Sequence, residues 1–194
     1  MPQDTAQHPF VAAHPRLVYG CMRIAGDGSA ESDGRRAVRA AIDAGFTHFD
    51  HADIYGDGAC ERLFGSVLRD SPGLRDSLTL IGKCGIRFAG DPVPSAPKRY
   101  DFSAQHLEAA VVGSLARLGT DRLDALLLHR PDYLMDPDEV CEVFVRLHDA
   151  GKVLHVGVSN FSPTQIALLQ SRCPLPLVAN QIEVNLANPA ALDD

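Results

Sequence analysis

Short, almost continuously apolar runs alternate along the chain with longer stretches in which apolar residues recur at helical spacing. The short runs are RLVYG (16–20), FTHFD (46–50), LTLIGKC (78–84), LDALLLH (123–129), VLHVGVS (153–159) and LVANQIE (177–183). Runs of this kind are typical of strands that are covered on both faces in a parallel sheet. The pattern therefore predicts six strands separated by helical segments.

Four of the intervening segments predict helices with recognisable ends. They are ESDGRRAVRAAIDAG (31–45), SAQHLEAAVVGSLARLG (103–119), DPDEVCEVFVRLHDAG (136–151) and SPTQIALLQS (162–171). Ser103 and Asp136 are predicted N-caps, and Ser162 with Gln165 has the spacing of a capping box. Three of the segments end on a glycine, the residue favoured just after a helix: Gly45, Gly119 and Gly151.

The β-α repeat of roughly 30 residues predicts a parallel sheet with right-handed crossovers. An open doubly wound sheet would carry a glycine-rich G-x-G-x-x-G turn after its first strand, and YGCMRIAGDG does not match that pattern. Polar residues instead end five successive predicted strands: Asp50, Lys83, His129, Ser159 and Gln181. Functional groups at the C-terminal ends of many strands are characteristic of a (β/α)8 barrel.

The predicted fold class is therefore α/β, an incomplete barrel of the (β/α)8 TIM-barrel type. A complete barrel of this type usually takes about 250 residues, and the predicted strands account for about six of its eight β/α units. Residues 1–15 are interpreted as an N-terminal extension and 16–194 as the barrel domain, truncated before strands seven and eight. The proline-rich stretch 90–103 is the one long connection, predicted to be a loop over the active face.

Composition and charge narrow the function classes. A formal net charge of −7 argues against a nucleic-acid partner, because phosphates need a basic face. The sequence shows neither a secretory signal nor an apolar run of about 18 residues, so no membrane span is predicted. The five scattered cysteines form no C-x-x-C pair, which favours free thiols in a reducing cytoplasm.

The stretch THFDHADIYG (47–56) raises the question of a metal site. His48 and Asp50 share one face of the predicted strand and His51 lies on the other, because side chains alternate. A zinc site needs three or four converging ligands, and the ammonium of Lys83 in the same place would repel a divalent cation. No metal site is predicted. His48 is expected to pack or hydrogen-bond near the strand, and His51 to belong to a loop or to support the site from behind.

The same stretch favours a proton-transfer site. Asp50, Tyr55, Lys83 and His129 all lie at or just after strand ends, so in a barrel they would meet over one mouth. A tyrosine has an ordinary pKa of about 10, and a nearby ammonium would lower it. Asp50 would hold Lys83 charged, and His129 could orient a carbonyl oxygen or share the proton.

At these residues the sequence resembles the aldo-keto reductase superfamily. The stretches that carry the resemblance are FDHADIYG, IGKCG, LGTDRLDALLLHRPD, GKVLHVGVSNF and NQIEVN. Together they run from about residue 16 to residue 188. The combination of HADIYG, KCGI and HRPD is most similar to a bacterial branch of predicted oxidoreductases.

The resemblance implies a role for each residue of this set. Tyr55 corresponds to the general acid and base, Lys83 and Asp50 to its activating pair, and His129 to the residue that orients the substrate. Six further residues correspond to positions around the nicotinamide: Gly20, Cys21, Met22, Ser159, Asn160 and Gln181. The implied cofactor is NADPH, with NADH not excluded, and the implied reaction reduces a small-molecule aldehyde or ketone to an alcohol.

The chain departs from the family pattern in three ways. His51 stands where a small Thr or Ser is common, which is expected to narrow the pocket or add a polar contact. Leu154 replaces a basic residue and is expected to affect packing only. The segments that would hold the cofactor pyrophosphate and 2′-phosphate lie beyond Asp194 in the family pattern, so the chain is interpreted as a fragment with impaired activity.

Two other functions remain open at this point. A non-catalytic cofactor-binding subunit or scaffold of the same fold would keep these residues without turnover. A Schiff-base enzyme would use Lys83 as its nucleophile, which requires a depressed lysine pKa, whereas Asp50 beside it is expected to raise that pKa. The substrate, the direction of the reaction and the oligomeric state are not predicted.

Overall fold

The computed structural model describes residues 15–26, 28 and 30–187, and its central element is a parallel sheet. The strands are β1 (Tyr19–Gly20), β2 (His48–Asp50), β3 (Thr79–Cys84), β6 (Leu123–Leu128), β7 (Val153–Ser159) and β8 (Leu177–Gln181), joined in that order. Every pairing in this sheet is parallel. The sheet curls into an arc of a (β/α)8-type barrel, which confirms the predicted fold class.

Helices connect the successive strands and cover the outer face of the arc. They are α1 (Glu31–Asp43), α2 (Ala59–Arg69), α3 (Ala104–Leu118), α4 (Pro137–Asp149) and α5 (Pro163–Arg172), with a 3-10 turn at Leu74–Ser77. Helix α2 was absent from the sequence-based prediction, although its residues Leu63, Phe64, Val67 and Leu68 are all buried. Within the described ranges, none of these helices is long and apolar enough to span a bilayer.

A small antiparallel hairpin follows β3. Its arms are β4 (Ile86–Arg87) and β5 (Arg99–Tyr100), paired Ile86 to Tyr100 and Arg87 to Arg99. The stretch 90–103 is therefore not wholly a loop, because its end forms one arm of this hairpin. Arms of two residues are too short for an alternating pattern to be visible in the sequence.

All three predicted cap residues stand at the N-cap position of their helices, and two of them form the capping hydrogen bond with the side chain. The Asp136 carboxylate accepts from the backbone N–H of Asp138 at 2.9 Å, and Ser162 with Gln165 forms a complete capping box. The hydroxyl of Ser103 instead donates to Asp101 Oδ1 at 2.6 Å. Ser103 is thus at the N-cap position of α3, but its side chain accepts no capping hydrogen bond.

The register of the sheet decides which strand-end side chains share a face. The paired positions are Asp50 with Ile81, Lys83 with Leu127, Leu127 with Gly157, and Ser159 with Gln181. Paired residues of parallel strands point to the same side of a sheet, and so do residues two apart. Ile81, Ala125 and Leu127 form a small buried cluster of their own, apart from the large core packed against the helices. The strand-end groups therefore lie on the concave face, at the C-terminal mouth of the arc.

Candidate active site

A cavity of about 660 Å³ opens at the C-terminal mouth of the arc. It is lined by Met22, Ile54, Tyr55, Gly56, Lys83, Ile86, Phe88, Lys98, Tyr100, His129, Arg130, Ser159, Asn160, Gln181, Ile182 and Glu183. Seven of the ten residues singled out from the sequence are in this lining, and Asp50 lies directly behind Lys83.

The ion pair of Lys83 with Asp50 forms the floor of the cavity. Lys83 Nζ donates to the Asp50 carboxylate and, at 3.2 Å, to the backbone carbonyl of His51. The two residues are 3% and 8% exposed, so little water screens their charges. Burial lowers the pKa of Lys83, and Asp50 opposes this change. Asp50 raises the pKa of Lys83, as expected, but the loss of water around the ammonium lowers it by more.

Tyr55 lies beside this pair, on the turn between β2 and α2. The Lys83 Nζ atom is 5.3 Å from the centroid of the Tyr55 ring, and the His129 ring is edge-on to it at a centroid distance of 5.8 Å. Burial, followed by the charge of Asp50, raises the pKa of Tyr55. This direction is the opposite of the predicted lowering by Lys83, because burial of the phenol is the larger effect and the Asp50 carboxylate offsets the charge of the ammonium.

His129 follows the end of β6 and is half-buried at the cavity wall. Burial lowers its pKa to about 4, with further lowering by the positive charges of Lys83, Arg130 and Lys98. The imidazole is therefore neutral at neutral pH. Its Nδ1 atom is buried and has no hydrogen-bond partner within the described part of the chain. A neutral imidazole at the wall of a cavity can hydrogen-bond a ligand oxygen there.

Ser159, Asn160 and Gln181 form the opposite wall, where β7 and β8 end. The Ser159 hydroxyl donates to the backbone carbonyl of Gln181 at 2.7 Å and accepts from Asn160 Nδ2 at 2.9 Å. Asn160 Oδ1 accepts from the Glu183 backbone N–H at 2.9 Å. One amide proton of Asn160 and the side-chain amide of Gln181 remain available, and together they offer the donors and acceptor that a primary carboxamide needs. These residues fit the nicotinamide end of a dinucleotide.

Gly20, Cys21 and Met22, at the end of β1 and just after it, differ in their position relative to the cavity. Met22 lines the cavity and is 49% exposed. Gly20 leaves open space beside it, since a Cβ built there would have no neighbour within 4 Å. Cys21 is fully buried in the core, and its backbone N–H donates to the Asp50 carbonyl at 2.9 Å. Cys21 is thus part of the core and does not line the cavity.

His51 does not narrow the cavity or add a polar contact, contrary to expectation. Its ring is fully buried and edge-on to Phe64 at a centroid distance of 4.6 Å. Neither ring nitrogen has a hydrogen-bond partner in the described ranges, and burial lowers the pKa of the ring to about 3. His48, in turn, contacts the Thr47 hydroxyl through Nδ1 at 2.9 Å. The described residues contain no group of three or more possible metal ligands.

The sequence-based prediction missed two carboxylates that interact electrostatically, those of Glu61 and Asp53. Glu61 is fully buried on α2 and accepts from Arg117 Nε of α3 at 2.6 Å. Burial and the charge of Glu61 raise the pKa of Asp53 to about 7. A glutamate within an otherwise apolar helix face was the available signal for Glu61, whereas nothing in the sequence marks Asp53.

The fold and this site define a parallel β/α barrel protein with its functional groups at the strand C-termini. Residues 16–192 match the sequence model of the Aldo/keto reductase family, and the chain belongs to that family. Curated relatives include the "Uncharacterized oxidoreductase YcsN" of Bacillus subtilis, 44% identical over 88% of this chain and 57% of the relative. "Oxidoreductase YdhF" of Escherichia coli is 46% identical over 80% of this chain and 52% of the relative. A "6-dehydroglucose reductase" of Agrobacterium fabrum is 43% identical over 88% of this chain and 58% of the relative.

Solved structures agree with the fold. The "aldo-keto reductase AKR11C1 from Bacillus halodurans (holo form)" superposes with a TM-score of 0.74 at 29% identity, over 87% of this chain and 53% of that one. The chain therefore spans about half the length of the curated relatives that it matches.

Proposed function

We propose that the full-length protein is a nicotinamide-dependent carbonyl reductase that reduces an aldehyde or ketone to an alcohol. What supports this most directly is the convergence of Tyr55, Lys83 and His129 on one cavity wall, with the Lys83 ammonium 5.3 Å and the His129 ring 5.8 Å from the Tyr55 ring centroid. Family membership supports the same reaction class. Because the chain spans about half of its relatives, we expect the 194 residues alone to have impaired activity.

In this proposal Tyr55 is the general acid. A phenol of raised pKa keeps its proton in the resting site, yet it can still give that proton to a carbonyl oxygen on which alkoxide charge develops, because an alkoxide is the stronger base. The phenolate then left on Tyr55 would lie beside the Lys83 ammonium, which stabilises negative charge there. Neutral His129 would orient the carbonyl oxygen by a hydrogen bond.

Asn160 and Gln181 would hold the nicotinamide carboxamide, and Ser159 would fix the Asn160 side chain through the hydrogen bond already formed. Met22 and the backbone at Gly20 and Cys21 would pass beside the adjoining ribose. When bound, the cofactor supplies the hydride, while the protein supplies orientation and the proton. NADPH is the cofactor that we propose, on family grounds, and a cytoplasmic location fits the five free thiols.

Replacing Tyr55 by phenylalanine tests the proposal. Tyr55→Phe is expected to lower kcat on a test aldehyde by about 10²- to 10⁴-fold, because the proton donor is lost. Cofactor affinity, measured by fluorescence titration, should stay nearly unchanged. Tyr133→Phe is the matched control, since Tyr133 is 85% exposed and outside the cavity lining. Retained turnover in Tyr55→Phe would remove Tyr55 from this role.

A lysine nucleophile is the second candidate, favoured by the lowered pKa of Lys83. Two observations argue against it. Lys83 is only 3% exposed, and its ammonium already donates hydrogen bonds to Asp50 and to the His51 carbonyl. Borohydride trapping of a carbonyl compound on Lys83 distinguishes the two mechanisms, since only a Schiff base leaves a stable adduct.

A further inference from the structure

The β4–β5 hairpin presents two chemically different faces. Side chains alternate along its arms, so Ile86, Phe88, Lys98 and Tyr100 line the cavity while Arg87 and Arg99 point away from it. The cavity face is thus mostly apolar and aromatic, with a single ammonium. This face forms the wall on the β3 side of the mouth, whereas the carboxamide-binding residues lie on the β7–β8 side.

The positive charges on the outer face of the hairpin are neutralised within the hairpin itself. Arg87 pairs with Asp101 at 2.6 Å and with Asp91 at 2.9 Å. Arg99 pairs with Asp101 at 3.6 Å and donates to the Asp91 carbonyl at 2.7 Å. Lys98 lies between these residues in sequence, yet within the described ranges it takes part in no ion pair or hydrogen bond of the hairpin network.

Other cations at the cavity are also paired. Lys83 is held by Asp50, and Arg130 Nη2 lies 2.8 Å from Glu183 Oε2. The charge of Lys98 reaches into the site, since it contributes to the lowered pKa of His129. In a chain of net charge −7, an anionic ligand is repelled unless a local cation receives it. Among the described residues that line the cavity, Lys98 is the cation with no such partner.

We propose that Lys98 selects carbonyl substrates that carry an anionic group, a carboxylate or a phosphate, at the end remote from the carbonyl. This inference rests on the proposed carbonyl reductase function. The carbonyl lies at Tyr55 and His129, the body of the substrate packs on Phe88 and Tyr100, and the anion meets the Lys98 ammonium. The residue acts on specificity and takes no part in proton transfer.

The test compares aldehydes that differ in charge but little in shape, using the full-length protein. 4-Carboxybenzaldehyde is paired with 4-formylbenzamide, and 4-formylphenyl phosphate with 4-methoxybenzaldehyde. We expect Lys98→Gln to lower the anionic-to-neutral ratio of kcat/KM by about three- to tenfold, mainly through KM, and Lys98→Glu to lower it further. Lys152→Gln is the matched control, because Lys152 precedes β7 at the opposite end of the sheet.

The possible outcomes distinguish a failure of this inference from a failure of the proposed reductase function. Whichever pair responds to Lys98 identifies carboxylate or phosphate as the anion. An unchanged ratio in Lys98→Gln overturns the inference while the reductase function stands. If Lys98→Gln weakens NADPH binding and leaves the ratio unchanged, Lys98 serves the cofactor and the inference is wrong. A calorimetric comparison of terephthalate binding with terephthalamide binding needs no turnover. If the wild type prefers terephthalate and Lys98→Gln does not, the inference is supported even if the aldehydes are not reduced. If the aldehydes are not reduced and no such preference is found, both the inference and the reductase function are overturned.

Discussion

Three titratable side chains at or behind the site, His51, Tyr55 and His129, lose contact with water when the chain folds, and in each case burial is the largest cause of the pKa change. All three are held in their neutral forms. For Tyr55 and His129 this suits a proton donor and a hydrogen-bonding partner at neutral pH. His51 is packed against Phe64, and its burial in the neutral form lowers the stability of the fold at acid pH without serving the site.

The pH dependence of stability tests the burial of His51. Its pKa of about 3 in the folded state lies below the ordinary value of 6.5, so only the unfolded chain takes up a proton between these values. Stability from this residue is complete above pH 6.5 and is lost as the pH falls towards 3. Between pH 6.5 and 5 the loss amounts to about 2 kcal/mol. His51→Leu should remove this part of the slope, measured by urea denaturation.

The variant must be compared with the wild type at each pH, because two other groups, His129 and Asp53, also make stability depend on pH. His129 adds a slope of the same sign, and Asp53, whose pKa is raised to about 7, adds one of opposite sign. His148→Gln is the control, because His148 is exposed on α4. Equal slopes for His51→Leu and wild type would show that His51 is not buried in the neutral form.

The sequence was enough to predict which residues meet at the site, but not how the site changes their pKa values. Asp50, Lys83 and His129 were found because strand ends of a parallel sheet share one edge, which is a property of the pattern alone. The direction of the Tyr55 pKa change was predicted wrongly, and the net lowering of the Lys83 pKa was not predicted, since both depend on how much water each group loses. That quantity is decided by packing from elements distant in sequence.

At the scale of elements, the six strands were predictable because each reads as an almost continuous apolar run, and the central strands β3 and β6 are almost wholly buried. Helix α2 was missed although its apolar residues have helical spacing, because it begins just after the glycine-rich turn at 56–58 and carries Gly65 and the buried Glu61 within it. The hairpin was missed because arms of two residues are too short for an alternating pattern to be visible, and the Arg87–Asp101 ion pair joins residues far apart in sequence.

The capping box of α5 links an element to the site. Ser162 accepts from the Gln165 backbone N–H at 3.3 Å and fixes the start of the helix two residues after Asn160. Ser162→Ala is expected to lower the free energy of unfolding by about 1 kcal/mol. Because Asn160 is held at a positive φ of 59° in the adjoining turn, we also expect weaker NADPH binding.

Calorimetric unfolding and cofactor titration check this expectation together. Ser171→Ala on the same helix is the control, since its exposed hydroxyl donates only to the Leu168 carbonyl. If Ser162→Ala loses stability but binds NADPH like the wild type, the cap supports the helix without positioning Asn160.

At the scale of the whole molecule, the sheet described here is an arc with two edges. Within the described ranges β1 pairs only with β2, and β8 only with β7. Strands with unpaired backbone groups are templates for association with other chains. Apolar side chains stand beside the β8 edge, where Ile182, Val184 and Leu186 are exposed.

Purified 194-residue chain is therefore expected to self-associate, and the β8 edge is the surface that we expect to mediate it. Ile182→Lys with Val184→Lys should shift the weight-average mass towards that of the monomer, because charges beside an edge oppose pairing. Leu168→Lys, at an exposed position on α5, is the matched control and should leave association unchanged. Sedimentation velocity over a range of concentrations measures the effect. A monodisperse wild-type monomer that binds NADPH tightly would contradict both the open edge and the expected impairment, because it would show that this arc of strands holds its cofactor without further pairing.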